Sequence, residues 1–358
     1  MSCTEKLRTT ASGSVDMAYH EKVTVTFRAE TDLADWNARY ERGLVPDKYP
    51  YGLHKLASSG VETAWASVPA LSAARKAALV ARPPRRRHDG PWAIAWDEYS
   101  ALRMFAAIPG ARYATGVIWT SDEIGRGYSR RARAASMARS LGAADLVWVL
   151  STAQIPVLHR MWGHRAPRIE FVPFGIAADF FTPSRHPGRT SVRPSVLSLG
   201  NDRDRDLPTT LRALEIVHRE RPEVRLRVQS KNRTPLPDGV ERVPFLSHAD
   251  LRELYRDTTV VAVATRPNLH VSGMTSALEA MASSCALVMT RSPGVDDYVG
   301  IDSGGLLVPQ ADPAELARGI LAALDPGVAP ELGASGRIAV QSRFTTDMLA
   351  ARLAELLL

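Results

Sequence analysis

Short runs rich in β-branched residues alternate along this chain with longer segments of helical period. In the second half such runs occupy 195–199, 224–229, 260–264 and 286–290. The first half repeats the pattern, with predicted strands at 23–27, 61–68, 93–96, 116–120 and 146–150. This alternation is typical of parallel sheets joined by crossover helices. We therefore predict an α/β protein of two Rossmann-like, doubly wound domains, whose ligands bind in a central cleft at the carboxyl ends of the strands.

The length of the chain also favours two domains. A single core rarely extends over 358 residues. A segment rich in Pro, Gly, Ser and Arg at 184–194 is typical of a linker, and the strand–helix alternation restarts after it. We predict a flexible tail at 1–20, a first domain at 21–190, a second domain at 191–340, and a C-terminal helix at 341–358 that packs back toward the first domain.

Composition narrows the class of protein. Apolar residues make up 45% of the chain and charged residues 23%, as in globular proteins. No run of about 18 apolar residues predicts a membrane-spanning helix, and residues 1–20 lack the apolar centre of a signal peptide. Cys3 and Cys285 lie too far apart in sequence to indicate a metal site or redox pair. We expect a cytoplasmic protein.

The positive charge is concentrated in the first half. Residues 1–185 contain 25 basic and 17 acidic residues, a net charge of +8, whereas the remainder carries −1. The densest basic segments are 82–87 and 126–139. Three interpretations remain open: a solvated basic face, a surface for anionic lipid head groups or an acidic acceptor, and nucleic-acid binding. No nucleic-acid motif accompanies the charge, so we expect no nucleic-acid partner.

Two segments in the second half carry candidate chemistry. The segment 200–206 (GNDRDRD) follows a predicted strand and precedes a helix. Its glycine permits close backbone approach, and Arg203 and Arg205 suit phosphate oxygens. The alternative is a polar loop whose arginines pair with neighbouring aspartates.

The second segment follows the predicted strand 260–264. Small residues in the loop 265–275, Ser272 and Gly273, let backbone N–H groups face a ligand, and the positive end of the helix predicted at 276–282 favours an anion. Glu279 lies further along this helix, where its carboxylate can accept hydrogen bonds from the two vicinal hydroxyls of a ribose. The alternative is a surface glutamate on an amphipathic helix.

In the first half, Asp97 and Glu98 come directly after the predicted strand 93–96. The carboxyl end of this strand presents both acids toward the predicted cleft. The alternative is that they cap the helix that follows. His54 and His270 are the histidines expected near the cleft, and neither has a partner visible in sequence.

The order of these segments resembles the retaining group 1 glycosyltransferases of GT-B fold, the family 4 type. The similarity covers roughly 141–358. Its ordered signatures are GAADLVWVLS with IEFVPFGI, LSLGNDRDRDLPTTLRAL, VPFLSHADLRELY, SGMTSALEAMA and GGLLVPQADPAELA.

The resemblance implies a nucleoside-diphosphate sugar bound by the second domain, and a glycan, lipid or small-molecule acceptor bound by the first. It implies hexose transfer with retention, without a metal ion or cofactor, and with catalytic roles for Arg203, Arg205, Glu279 and, as our candidate in the first half, Asp97. Peripheral contact of the basic half with the anionic inner face of a membrane is compatible with it. The residues matched to donor binding are Gly200, Asn201, Arg203, Arg205, Ser272, Gly273, Met274, Thr275 and Glu279.

Two departures from the family pattern leave alternatives open. The family usually carries two glutamates in this motif; Glu279 is the second, and Val271 stands at the first. Val271 cannot hydrogen-bond a sugar hydroxyl, and Ser272 or His270 are possible substitutes. The histidine usual in the family's first-domain cleft has no clear counterpart. A non-catalytic GT-B protein that binds a nucleotide or glycan, and a nucleotide-sugar epimerase, are therefore the alternative functions.

Overall fold

The computed structural model describes residues 22–87, 89–123, 128–183 and 193–358. The predicted tail at 1–20, Cys3 and most of the predicted linker at 184–194 lie outside these residues. Within the described ranges, no helix is both long and apolar enough to span a bilayer.

The first domain is built on a parallel sheet of six strands in the order β2-β1-β3-β4-β5-β6. The central strands are buried because helices cover both faces of the sheet. The strands are β1 (Lys22–Arg28), β2 (Glu62–Val68), β3 (Trp92–Ala95), β4 (Arg112–Val117), β5 (Leu146–Val149) and β6 (Arg168–Phe171).

Helices connect these strands. They are α1 (Leu33–Glu41), α2 (Ala73–Ala81), α3 (Glu98–Ala107), α4 (Thr120–Glu123), α5 (Tyr128–Leu141) and α6 (Ile155–Trp162). Short 3-10 helices occupy Pro50–Ser59, Thr152–Gln154 and Gly163–Arg165.

The second domain repeats the architecture with strand order β12-β11-β10-β7-β8-β9, again all parallel. Its strands are β7 (Ser195–Leu199), β8 (Arg225–Gln229), β9 (Val240–Val243), β10 (Val260–Val263), β11 (Ala286–Thr290) and β12 (Gly305–Val308). Its helices are α7 (Leu207–Glu220), α8 (His248–Arg256), α9 (Met274–Ala282), α10 (Pro313–Ala323) and α11 (Val328–Arg343), with 3-10 helices at Val295–Asp297 and Ile301–Ser303. The predicted pair of doubly wound α/β domains is thus confirmed.

The last helix, α12 (Thr346–Leu357), packs on the first domain. The Lys55 ammonium group donates to Thr346 Oγ1 at 2.8 Å and pairs with the Asp347 carboxylate at 2.6 Å. At the far end of the helix, the Trp92 indole donates to the Leu357 carbonyl at 2.7 Å. These contacts tie the end of the chain across the domain boundary.

One predicted strand is misplaced. The sequence predicts a strand at 116–120, but β4 ends at Val117 and α4 begins at Thr120. The backbone amides of Ile118 and Trp119 donate to the buried Glu98 carboxylate at 3.0 and 2.7 Å instead of to a neighbouring strand. Tertiary hydrogen bonds therefore accompany the end of the strand, three residues earlier than predicted.

Candidate functional site

A cleft of about 620 Å³ lies between the domains, where the carboxyl ends of the two sheets face each other. The first domain contributes a largely aromatic wall, and the second contributes the loop from His270 to Thr275 together with Asp202 and Glu279. The first-domain wall includes Phe27, Arg28, Trp36, Tyr51, Trp96, Asp97 and Trp119. Ligands of open α/β sheets bind at this end of the strands.

The start of α9 opens toward the cleft. Gly273, the residue before the helix, has φ of 90° and supplies no side-chain cap. Within the described part of the chain, the backbone amides of Gly273, Thr275 and Ser276 have no hydrogen-bond acceptor. Unsatisfied amides at the positive end of a helix form a binding site for an anion.

The guanidinium of Arg205 lies beside these amides. It occupies space that only glycine leaves free, because a Cβ atom at Gly200 or Gly273 would lie 2.3 or 2.2 Å from it. Its Nη2 donates to Ser276 Oγ at 3.2 Å, whereas its enclosed Nε and Nη1 atoms have no hydrogen-bond partner. The structure thus places a partly unsatisfied positive charge next to an anion site.

Glu279 lies one turn into α9 and lines the cleft. Burial raises the pKa of its carboxyl group to about 7, while the hydroxyl of Tyr255, which donates to Oε2 at 3.0 Å, and the charge of Arg205 oppose the increase. Near neutral pH the group is therefore partly ionised, and its ionised form accepts hydrogen bonds from hydroxyls.

Arg203 lies apart from Arg205, in the interface between the domains. It pairs with the Glu123 carboxylate of the first domain, and its Nε lies 3.2 Å from Asp204. Asn201 is exposed, and its side-chain oxygen accepts from the Lys231 amide at 2.5 Å. To bind a phosphate, Arg203 would have to give up its ion pairs with Glu123 and Asp204. Its role in phosphate binding stays a prediction.

Asp97 lines the cleft, but other groups already engage its carboxylate. It accepts from the amides of Tyr99 and Ser100, which begin α3, and both oxygens lie within 2.9 Å of an Arg28 nitrogen. Glu98 is buried and holds the loop after β4. Both acids therefore organise the first-domain wall, and substrate contact by Asp97 stays a prediction.

His270 connects the two domains. Its Nδ1 lies 2.5 Å from an Asp122 oxygen, and the Leu269 amide donates to the other Asp122 oxygen at 2.6 Å. Burial disfavours the charged imidazole, but the hydrogen bond with Asp122 and the negative charges of Asp122 and Asp202 raise the pKa of His270 to about 9. Burial alone would raise the pKa of Asp202, but the charge of His270 and the hydrogen bonds from the Asp204 amide and the Ser272 hydroxyl hold it below its usual range.

Asp202, Asp204 and His270 each offer one ligand atom within 4.8 Å of the others, an arrangement that can hold a metal ion. Asp204 is also 3.2 Å from Arg203, and His270 is bound to Asp122. These ion pairs already compensate much of the local charge, which weakens the case for a metal centre.

Val271 adopts an unusual backbone conformation. Its φ is 49°, although β-branched residues rarely have positive φ, and it is 2% exposed. The strained turn directs the loop around it so that Ser272 donates from its amide to Asn268 and from its hydroxyl to Asp202. Val271 itself offers the cleft no polar group.

Sequence reasoning missed Asp122 and Tyr51. Asp122 follows β4 closely, so the argument applied to Asp97, an acid at the carboxyl end of a strand, would have found it. Tyr51 has φ of 62° and stacks on Trp96 with ring centroids 3.9 Å apart, which leaves it 41% exposed. Nothing in the sequence around Tyr51 indicates this turn or the stacking on Trp96.

Residues 193–326 match the family model described as glycosyl transferases group 1. No curated protein sequence matches the chain. Among solved structures, sucrose-phosphate synthase from Thermosynechococcus elongatus is 18% identical, with a TM-score of 0.66 over 94% of this chain and 98% of that one. Anabaena HepE in complex with UDP-glucose is 14% identical, with a TM-score of 0.66 over 94% and 99%.

A glycosyltransferase from Rickettsia africae is 12% identical, with a TM-score of 0.59 over 95% of this chain and 98% of that one. At these identities the likeness establishes the fold, and it confirms the predicted GT-B architecture. The family match over the second domain and the GT-B fold of the whole chain together support a glycosyltransferase.

Proposed function

We propose that the chain transfers a hexose from a nucleoside diphosphate to an acceptor hydroxyl, with retention of configuration and without a metal ion or other cofactor. The observation that carries this proposal is one wall of the cleft, where the uncapped start of α9 and Glu279 line the cleft and the Arg205 guanidinium packs against Gly273. A nucleotide sugar is the natural ligand for that combination, and the HepE structures contain UDP-glucose or UDP.

The diphosphate would bind at the amides of Gly273, Thr275 and Ser276, with Arg205 beside it. Charge develops on the departing diphosphate as the sugar bond breaks, and fixed donors stabilise that charge without reorganisation. These groups supply positive potential of the kind that a metal ion provides elsewhere, which supports metal independence. Glu279 would accept hydrogen bonds from the ribose hydroxyls.

The acceptor would lie against the first-domain wall. Tyr51 presents an exposed ring, held by its stacking on Trp96, and Arg28 adds a half-exposed guanidinium. A flat aromatic surface suits the apolar face of a sugar or another ring, so a glycan, a lipid-linked sugar or a small glycoside are the acceptor classes we propose. Holding the acceptor hydroxyl near the donor carbon contributes to catalysis by orientation.

The basic half of the chain also supports a peripheral position at an anionic membrane face, with the protein otherwise in the cytoplasm. Arg82, Arg85, Arg131, Arg133 and Arg160 are exposed and have no ion-pair partner among the described residues. Exposed arginines attract anionic lipid surfaces. Co-sedimentation with phosphatidylglycerol vesicles but not with phosphatidylcholine vesicles tests this part of the proposal, and equal recovery with both would contradict it.

A thermal-shift screen against UDP, GDP and dTDP and their glucose derivatives tests the donor site, because a ligand that binds only the folded state raises the melting temperature. Selective stabilisation by one base is the expected result. Nucleotide release from the matching sugar nucleotide, in the presence of candidate acceptors, then tests transfer. A folded protein that binds none of these ligands would refute the proposed function.

Val271 favours one second candidate, a non-catalytic GT-B protein that binds a nucleotide or glycan and assists a partner. Its buried isopropyl group stands where the resembled family uses a sugar-binding carboxylate. Donor binding without turnover on any acceptor, in a lysate that contains the pathway, would favour this function over catalysis.

A further inference from the structure

Two polar atoms face each other across the second-domain wall of the cleft without bonding. His270 Nε2 and Asp202 Oδ2 are 3.6 Å apart, which is too long for a direct hydrogen bond. The His270 side chain is only 4% exposed, and among the described residues its Nε2 has no hydrogen-bond partner. Buried donors are nearly always paired, so this atom points to a ligand.

The remaining polar atoms of both side chains are already satisfied. His270 Nδ1 is bound to Asp122 at 2.5 Å, which fixes the ring. Asp202 Oδ1 accepts from the Asp204 amide at 2.8 Å and from Ser272 Oγ at 3.1 Å, which fixes the carboxylate. One donor, Nε2, and one acceptor, Oδ2, are left, and both residues line the cleft.

Local charge decides which ligand group suits this pair. Among the described residues, four carboxylates, those of Asp122, Glu123, Asp202 and Asp204, lie close to three cationic groups, Arg203, Arg205 and His270. The excess negative charge disfavours a phosphate here. A neutral hydroxyl, by contrast, both donates and accepts a hydrogen bond.

We propose that Asp202 and His270 bind one hydroxyl of the donor sugar. The hydroxyl oxygen accepts a hydrogen bond from His270 Nε2–H and donates its own proton to Asp202 Oδ2, at about 2.8 Å from each when it lies off the line between them. This inference rests on the proposed function and adds a sugar subsite beside the diphosphate site at Arg205 and α9. His270 keeps its proton throughout and takes part in no proton transfer.

The subsite depends on both domains. Asp122 belongs to α4 of the first domain, whereas Asp202 and His270 belong to the second. Asp122 is therefore a positioning residue: it orients the imidazole and keeps the proton on Nε2 available to the ligand.

The test compares two affinities in the variants Asp202→Asn and His270→Gln. The probes are UDP-glucose and UDP, or the corresponding pair if the screen selects another base, with binding measured by calorimetry. Loss of a hydrogen bond to a charged group should weaken the sugar nucleotide about 10- to 100-fold and change the diphosphate affinity by less than about threefold. Asp238→Asn and His159→Gln are matched controls at exposed positions outside the cleft, and should leave both affinities unchanged.

Deoxygenated donors probe the same contact without altering the fold. One of the 2-, 3-, 4- and 6-deoxy analogues of UDP-glucose should bind the wild-type protein about 10- to 100-fold more weakly than UDP-glucose does. Asp202→Asn should bind that analogue and UDP-glucose with nearly equal affinity, because the variant and the analogue remove the same interaction.

Four results would overturn the inference. Equal weakening of UDP and UDP-glucose would show that the pair supports the nucleotide site or the fold. A requirement for Mg²⁺ or Mn²⁺, abolished by EDTA, would assign Asp202 and His270 to a cation. Unchanged preference for UDP-glucose over UDP in both variants would remove the subsite while leaving the proposed function intact, whereas absence of any diphosphate binding by the wild type would refute both.

Discussion

Adding one methyl group at Gly273 should both destabilise the second domain and weaken nucleotide binding. Gly273 has φ of 90°, and a Cβ atom there would lie 2.2 Å from Arg205 Nη1 and 2.7 Å from Val263 Cγ1. The guanidinium cannot simply move away, because the backbone of Gly200 packs against its other side. Gly273→Ala must therefore displace Arg205 from its position beside the α9 amides.

The magnitude has two parts. A left-handed backbone costs a residue with a Cβ atom about 1–2 kcal/mol. Forcing an additional group into a packed site costs about 1–3 kcal/mol more. We expect the free energy of unfolding to fall by the sum of both, about 2–5 kcal/mol.

Gly60→Ala is the matched control. Gly60 has φ of 84°, ends the 3-10 helix at Pro50–Ser59, and a Cβ atom there would have nothing within 4 Å. It should show only the backbone part, about 1–2 kcal/mol, and bind nucleotide as the wild type does. The difference between the two variants isolates the contact with Arg205.

Urea unfolding followed by circular dichroism measures the stability of both variants, and calorimetry with the selected nucleoside diphosphate measures binding. Displacing Arg205 removes charge-assisted hydrogen bonds, so Gly273→Ala should bind about 10- to 100-fold more weakly. If Gly273→Ala matches Gly60→Ala in stability and the wild type in affinity, Arg205 is neither confined by Gly273 nor in contact with the diphosphate.

Three further predictions concern buried ionisable groups. Burial raises the pKa of Glu279 from its ordinary 4.5 to about 7, so between these pH values the folded chain retains a proton that the unfolded chain releases. The free energy of unfolding should therefore fall as the pH rises from 4.5 to 7, and Glu279→Gln should flatten that fall. Burial opposes the charged form of His270, yet its hydrogen bond with Asp122 raises the pKa to about 9. The stabilisation by this pair is therefore complete below pH 6.5 and is lost as the pH rises through 9. In Asp122→Asn, nuclear magnetic resonance titration should show the His270 pKa moving toward 6.5, and an unchanged pKa would contradict the contact. Glu98→Gln sets an NH₂ group against backbone donors after β4 and should lower the free energy of unfolding by about 1–3 kcal/mol in urea titrations, whereas wild-type stability would show that these amides do not need the carboxylate.

Much of the fold could be predicted from local pattern. The buried strands β7, β10 and β11 coincide closely with apolar, β-branched runs, because a strand covered on both faces is mostly apolar. The exposed edge strand β9 (Val240–Val243) reads VERV and gave no such signal. Edge strands need only one covered face, so their sequences resemble loops.

The donor side of the site was also accessible to sequence reasoning. Glycines and small residues after a strand and before a helix mark places where a backbone approaches a ligand, and the segments around Gly200 and Gly273 have that pattern. The spacing of Glu279 from Gly273 follows from helix geometry alone. These are properties of contiguous residues, so no tertiary information was required.

The partner of each charged side chain was decided only by tertiary structure. Arg203 and Arg205 are two residues apart and equivalent in sequence, yet one pairs with Glu123 of the first domain and the other lies between two glycines of the second. Likewise, Asp122 and His270 are 148 positions apart and meet only because the carboxyl ends of both sheets face one cleft. Backbone pattern fixes where a loop emerges from a sheet, but the partner of a flexible charged side chain depends on which distant group shares its space.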